Sequence, residues 1–319
     1  MAVTILKPPV MAGDHRQVEP QIEFDLAAFD PWRIQPVRHR LSSHPLFQTD
    51  ALLALSARLE DAGRIRTHAN DATAGTPFND APGLHPNTLS AVETLGSLRE
   101  AKAWMSLLNV QTDALYRELV GSVLDSVQPL IEPRDPGMCH RAGWIFVSSP
   151  KTVTPFHFDK EHNFILQIQG RKRIYVWDHR DTTVASELAR DRFHQRHDRG
   201  ELQWREGFRG RARVFELHPG EGAYMPSTSP HMVENGDEPS ITMSFTYYTD
   251  ATRRDSMLHK THAVLRDLRI NPPPVGRWPA LDALTFTGVS NALLLRALAK
   301  RLIARSGTWG CGRFAHVGM

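Results

Sequence analysis

Residues 152–178 have the sequence TVTPFHFDKEHNFILQIQGRKRIYVWD, which decides the fold class. Its short runs of β-branched and aromatic residues are typical of strands. Similar runs, WIFVSS before it and ARVFEL, GAYMP and SITMSFTYYT after it, follow one another without a long helix between each pair. Strands spaced so closely predict an antiparallel barrel or jelly roll rather than alternating βαβ units.

The chain divides into three regions by its residue pattern. Residues 1–130 predict a proline-bearing arm followed by helices, and residues 131–250 carry the barrel with an insertion at 181–213. Residues 251–319 return to helical periodicity. The predicted fold class is therefore a mostly β core with N-terminal and C-terminal helical regions. Two helices of the first region are expected at about 88–107 and 112–128.

Composition indicates an ordinary globular protein, with 41% hydrophobic and 23% charged residues and a net charge of only +3. Nucleic-acid binding is not predicted from so small a charge. Arginines crowd between Arg190 and Arg213, where nearby acids offset most of them. We expect a solvated surface there, and the alternative is a basic patch for an acidic peptide or a phosphate-bearing partner.

Cys139 and Cys311 are the only thiols, so neither a disulfide framework nor a four-cysteine zinc site is expected, and a cytoplasmic location is the simplest. The amino terminus lacks the pattern of a signal peptide. The apolar stretch at 291–304 is interrupted by basic residues, whereas a membrane span needs roughly 20 mostly apolar ones. Its apolar face is expected to pack against the barrel or a second subunit, as a possible homodimer contact.

His157 and Asp159 are candidate metal ligands, because residues two apart on a strand point to the same face. A third ligand must come from elsewhere in the chain. His231 follows the turn-rich segment GEGAYMPSTSP and precedes the apolar run ITMSF, which puts it at the mouth of a barrel strand. His259 and His262 fall on a predicted helix instead.

Two histidines and one carboxylate on one face of an octahedron are typical of non-haem iron(II) oxygenases. Three coordination positions then stay open for a cosubstrate and O2, unlike a closed structural zinc site. A His-x-Asp pair alone is equally compatible with a structural histidine.

The chain also resembles the JmjC branch of the cupin superfamily, the Fe(II)- and 2-oxoglutarate-dependent oxygenases. It is similar to the part of that branch that includes the asparaginyl hydroxylase of hypoxia-inducible factor. The resemblance lies in T-P-x-H-x-D-x-x-x-N-F-x-x-Q-I-x-G-x-K-R from Thr154 to Arg173, then in Y-x-P-x(4)-H and I-T-x-S-F. It covers residues 142–248 and implies a double-stranded β-helix, the jelly roll of the cupins.

By this resemblance, four residues contact the cosubstrate 2-oxoglutarate. Lys172 and Thr154 would bind its distal carboxylate, and Asn163 would contact the end nearer the iron. Ser244 stands where the asparaginyl hydroxylase has an asparagine, so this contact departs from the family pattern. Without the resemblance, Lys172 would be interpreted as a solvated lysine, and Thr154 and Asn163 as turn and strand-end residues.

The resemblance implies hydroxylation of a C–H bond in a protein, a peptide or a small metabolite. Two alternatives stay open, a metal-binding cupin with chemistry that uses no oxoglutarate and a non-catalytic regulatory cupin. These residues do not determine the substrate or the position that is modified. They also do not determine whether the outcome is hydroxylation or demethylation.

Overall fold

The computed structural model describes residues 21–306, and their side chains as far as residue 298. Outside the described residues lie residues 1–20 of the expected arm, Cys311, and the basic side chains of the last helix beyond residue 298. Of the helices between residues 21 and 306, none combines the length and apolarity that a membrane crossing requires.

Strands dominate the centre of the chain. They are β1 Ile22–Glu23, β2 Gln35–His39, β3 Ile65–Ala69, β4 Ala103–Leu107, β5 Cys139–Ser148, β6 Val153–His157, β7 His162–Gln169, β8 Lys172–Val176, β9 Arg213–Leu217, β10 Glu221–Met225, β11 His231–Asn235 and β12 Ser240–Tyr248. The α-helices are α1 Thr49–Asp61, α2 Ala81–Leu84, α3 Ala91–Gly96, α4 Ala114–Ile131, α5 Glu187–Arg196, α6 Asp250–Asp267 and α7 Pro279–Ser306.

The strands form two antiparallel sheets. The major sheet has the order β1-β2-β10-β7-β12-β5-β4-β3, and the minor sheet has the order β6-β11-β8-β9. Inward side chains of both sheets share one apolar cluster, which includes Ile165 and Met225 from the major sheet and Ile174 and Val233 from the minor sheet. The predicted jelly roll, a mostly β core with flanking helices, is confirmed.

The outer face of the major sheet is covered by the N-terminal helices. Leu52 and Leu55 of α1 and Val123 of α4 are fully buried in a cluster with Phe164 and Phe245 of the sheet. This apolar layer supports the sheet from behind.

The helix expected at 88–107 is wrong in its second half, where β4 pairs with β5 and β3. All five residues of β4 are buried, so its sequence AWMSL lacks the alternation that marks a half-exposed strand. Because β2 and β4 join the same sheet as the barrel strands, the sheet crosses the expected boundary at residue 130. The three-region division stays a prediction.

Candidate metal centre

Strand pairing brings the three predicted ligands together. His157, the last residue of β6, pairs directly with His231, the first residue of β11, and their ring centroids lie 4.1 Å apart. Asp159 follows two residues after His157, at the same end of the minor sheet. The three residues thus meet at one mouth of the barrel, where strand ends leave room for a ligand.

The ligand atoms point toward one another. Asp159 Oδ2 lies 3.6 Å from His157 Nε2 and 3.7 Å from His231 Nε2. One donor atom from each residue fits within a span of 4.8 Å, and no other such cluster occurs among the described residues. A single ion can be bound by all three side chains over distances of this size.

Backbone carbonyls hold both imidazoles in position for a metal. His157 Nδ1 lies 2.8 Å from the Pro155 carbonyl oxygen, and His231 Nδ1 lies 3.0 Å from the Ser229 carbonyl oxygen. A carbonyl only accepts, so Nδ1 carries the proton and the Nε2 lone pair is directed to the centre. Burial lowers the pKa of both imidazoles, which favours the neutral, ligating form.

Arg199 orients the third ligand from within the insertion. Its Nη2 donates to Asp159 Oδ1 at 2.8 Å, which leaves Oδ2 facing the histidines. Its Nε and Nη1 donate to the Phe158 carbonyl oxygen at 3.0 Å and to Asn79 Oδ1 at 2.9 Å. Although burial acts to raise it, the pKa of Asp159 falls to about 2, because His157, Arg199 and His231 favour the carboxylate.

The expectation of a solvated insertion is wrong for Arg199 and Arg190, whose exposed fractions are 9% and 3%. The sequence contains no local signal for Arg199, because its partners are 40, 41 and 120 residues away. Only the folded chain places this arginine next to the metal-binding carboxylate.

Phe78 is a second residue that sequence reasoning missed. Its ring stacks on the His157 imidazole at 3.8 Å between centroids and 9° between planes. The Arg66 and Arg199 guanidinium groups lie over the same phenyl ring, at 4.4 and 5.0 Å from its centroid. The loop that carries Phe78 therefore covers the outer side of the ligand set.

A cavity of about 420 Å³ opens onto the candidate metal centre, and we call it the metal cavity. It extends under the major sheet, where Trp144 of β5 lines it. The lining residues are Arg66, Phe78, Asn79, Trp104, Ser106, Leu108, Trp144, Phe146, His157, Asp159, Glu161, Asn163, His197, Arg199, Ser244 and Thr246.

Several polar groups of the metal cavity have no protein partner. Buried atoms without a hydrogen bond to described residues include Trp104 Nε1, Ser106 Oγ, Asn163 Oδ1 and Ser244 Oγ. An unpartnered buried polar atom costs roughly 1–3 kcal/mol, so a cluster of them marks a surface suited to a polar ligand. Asn163 and Ser244, two of the predicted cosubstrate residues, thus lie in the same cavity as the candidate ligands.

Lys172 and Thr154 occupy a different part of the barrel. Lys172 of β8 pairs with Asn235 of β11. Because side chains alternate along a strand, Asn235 and its partner Lys172 lie on the same face of the minor sheet as His231. Lys172 is 5% exposed and lines a separate cavity of about 350 Å³ beside Glu216 and Asn235. Burial alone lowers the pKa of Lys172 to about 7. Thr154 is buried on β6 opposite Val233. Neither Lys172 nor Thr154 is among the residues that line the metal cavity.

Glu161 places a second carboxyl group in the metal cavity. Tyr248 donates a hydrogen bond of 2.9 Å to Glu161 Oε1. Burial and the nearby Asp159 carboxylate raise the pKa of Glu161. Glu161 lies in the connection between β6 and β7, as Asp159 does, and lines the same cavity.

A search of curated proteins found no match. Among solved structures, YcfD of E. coli has 17% identity and a TM-score of 0.44, over 82% of this chain and 63% of YcfD. A structure titled as YcfD, a ribosomal oxygenase from Escherichia coli, in complex with cobalt and 2-oxoglutarate, has 17% identity and a TM-score of 0.43, over 80% of this chain and 58% of that one.

A third solved structure, the DMSP lyase DddQ from Ruegeria pomeroyi, has 15% identity and a TM-score of 0.23, over 34% of this chain and 38% of that one. Values this low carry no activity over to the present chain. The chain spans less than two thirds of the length of either YcfD structure. The specific likeness to an asparaginyl hydroxylase stays a prediction.

The family itself follows from a sequence-profile match. The cupin-like domain profile matches residues 87–253, more than half of the 319 residues, and the match includes all three candidate ligands. The chain belongs to the cupin-like domain family.

Proposed function

We propose that this chain is an Fe(II)- and 2-oxoglutarate-dependent oxygenase that hydroxylates a C–H bond of a protein, a peptide or a small metabolite. The proposal is carried by the convergence of His157 Nε2, Asp159 Oδ2 and His231 Nε2 at one barrel mouth. Two imidazoles and one carboxylate are the donor set of non-haem iron(II) oxygenases.

The donor set fits iron(II) better than a structural zinc ion. Within the described residues the cluster has three members, so a tetrahedral site would lack its fourth protein ligand. Carbonyls fix both histidine tautomers and Arg199 fixes the carboxylate, which is the outer-shell support that a functional metal site requires.

Each residue has a distinct task in this proposal. His157, Asp159 and His231 would hold iron, and Arg199 would keep the Asp159 carboxylate directed inward. When bound, iron(II) with 2-oxoglutarate and O2 supplies the oxidising chemistry for C–H hydroxylation. Phe78 and Trp144, which line the metal cavity, would limit the access of water to a bound substrate.

Four residues are proposed to receive 2-oxoglutarate. The unpartnered Ser244 Oγ supports a contact within the metal cavity, because its hydroxyl can donate to an oxygen of 2-oxoglutarate. Asn163 lines the same cavity and is proposed to donate through its amide nitrogen. Lys172 is proposed for the distal carboxylate, since a buried lysine without a counter-charge gains from an anion. Thr154 would add a hydroxyl donor from β6, on the same barrel face as Lys172.

Anaerobic metal binding tests the proposal directly. We expect one iron(II) per chain, and we expect added 2-oxoglutarate to produce a weak visible charge-transfer band. His157→Ala and Asp159→Ala should abolish iron binding, whereas Lys172→Ala should keep iron and weaken the band. His44→Ala, at a half-buried histidine that lines neither the metal cavity nor the Lys172 cavity, is the matched control and should behave like the unmodified protein. Iron-loaded protein that gives no band would refute the role of 2-oxoglutarate.

One observation favours a second candidate, a metal-binding cupin with chemistry that uses no oxoglutarate. Lys172 lines a cavity other than the metal cavity, so the lysine and the metal ligands do not share one open space. If this candidate is correct, Lys172→Ala will leave activity unchanged, and metal-loaded protein will consume no 2-oxoglutarate.

We also propose homodimerisation through α7 and a cytoplasmic location. Support for the dimer comes from the exposed leucines of α7, since Leu284, Leu294 and Leu295 are 71%, 59% and 66% exposed in the single chain. The cytoplasmic proposal rests on the low cysteine content.

A further inference from the structure

A third cavity lies beside the segment that leads to His231, and we call it the rear cavity. Its volume is about 440 Å³, within the range of small-molecule sites. It shares no lining residue with the metal cavity. Its walls come from Trp32, from residues 179–182, from α5 and α6, from the Ser227–Thr228 segment and from residues 274–277.

Arg190 of α5 is the buried cation of the rear cavity. Its side chain is 3% exposed and lies 3.1 Å from Glu187 Oε1 through Nη1, which also donates to the Ala185 carbonyl oxygen. Its Nε and Nη2 atoms are buried and have no hydrogen-bond partner among the described residues. Two donor nitrogens of this guanidinium group, with three N–H bonds between them, are therefore available to an acceptor that the described residues do not supply.

Two further arginines border the rear cavity from other segments. Arg180 and Arg277 both line it, and within residues 21–298 neither forms a side-chain ion pair. Three arginines from three separate parts of the chain thus line one space. Such an arrangement attracts anions and offers donors from several directions.

The acids of the rear cavity reduce this positive field only in part. Glu187 is already engaged with Arg190, and its Oε2 has no partner. Burial raises the pKa of Asp255 to about 6. His179 and His194 are uncharged at neutral pH, because burial lowers the pKa of each. Asp255 stays mostly ionised at neutral pH, and Asp178 and Asp181 also act on Arg190, so the three lining arginines exceed the two lining acids by a single charge.

The rear cavity also touches the segment that leads to His231. Thr228 N donates to the Asp159 carbonyl oxygen at 2.8 Å, and Ser227 Oγ donates to the Lys160 carbonyl oxygen at 2.7 Å. Ser227 and Thr228 both line the rear cavity. A ligand there would contact the segment that holds the metal-binding strand ends together.

We propose that the rear cavity is a binding site for the phosphate group of a small molecule, held by Arg190 with Arg180 and Arg277. A phosphate presents several oxygens in a tetrahedral arrangement, which suits donors that come from three segments. A carboxylate is planar and is satisfied by a single guanidinium fork. The site does not depend on iron or on 2-oxoglutarate.

Titration of metal-free protein with inorganic phosphate tests this site by calorimetry and by thermal unfolding. Acetate and chloride at matched ionic strength are the comparison anions. We expect saturable phosphate binding with a rise in Tm, and weaker or no binding of acetate. Arg190→Gln and the exposed Arg277→Gln should each raise the Kd by about tenfold, the loss expected for one charge-assisted contact.

Two controls separate the site from general effects. Arg99→Gln, at an exposed arginine outside the rear cavity, should bind phosphate normally. His231→Ala should also bind phosphate, which distinguishes this site from the metal centre. If Arg190→Gln fails to fold, Arg277→Gln decides the outcome. Equal Tm shifts in chloride and phosphate, or an unchanged Kd in Arg277→Gln, would overturn the proposal.

Discussion

Replacing Arg199 by glutamine tests how far the metal centre depends on a residue of the insertion. The substitution removes the charge that pairs with Asp159 at 2.8 Å and leaves at most part of the contacts to Asn79 and the Phe158 carbonyl. Loss of one partner from a fully buried ion pair costs about 3–5 kcal/mol. The Asp159 side chain is 35% exposed, so water screens part of the interaction between Arg199 and Asp159. We therefore expect the free energy of unfolding to fall by about 2 kcal/mol.

Metal affinity should fall more sharply than stability. Without Arg199, the Asp159 carboxylate is free to rotate away from the two Nε2 atoms, and loss of such outer-shell support typically costs about 10- to 100-fold in affinity. Cobalt(II) titration under anaerobic conditions measures the affinity, and urea unfolding measures the stability. Arg205→Gln, at an exposed arginine of the same insertion, is the control. Equal metal affinity in the Arg199 and Arg205 variants would refute the orienting role.

Three further predictions concern other parts of the chain. Lys172→Met should stabilise ligand-free protein by about 2 kcal/mol near pH 7. The gain should shrink as the pH rises toward 10.5. Burial holds the pKa of Lys172 near 7 in the folded protein, so between pH 7 and 10.5 only the unfolded chain binds the lysine proton. A gain in urea unfolding that does not change with pH would contradict this. Burial lowers the pKa of His162, which lies 3.1 Å from Asp135, so stability should fall as the pH drops through 6.5, and His162→Gln should weaken that dependence. Leu294→Asp with Leu295→Asp should turn a dimer into a monomer in light scattering, and an unchanged mass would argue against the α7 contact.

The barrel strands and the candidate ligands could be predicted from the sequence alone. The spacing of His157 and Asp159 in one short run made them candidate ligands, and the family resemblance favoured a metal site over a structural histidine. In the structure Asp159 lies two residues beyond the end of β6. His231 was identifiable because a turn-rich segment precedes it and a strand begins at it.

The surroundings of these ligands could be identified only from the folded chain. The strand character of β4 was hidden because a strand buried on both faces shows no alternation. The partners of Arg199 and Phe78 at the metal centre are distant in sequence, and Arg190 lines an internal cavity. No local pattern distinguishes a buried arginine such as Arg190 from a solvated one. Burial and charge compensation are properties of the packed chain, so the support of the metal centre and the rear cavity became visible only in the fold.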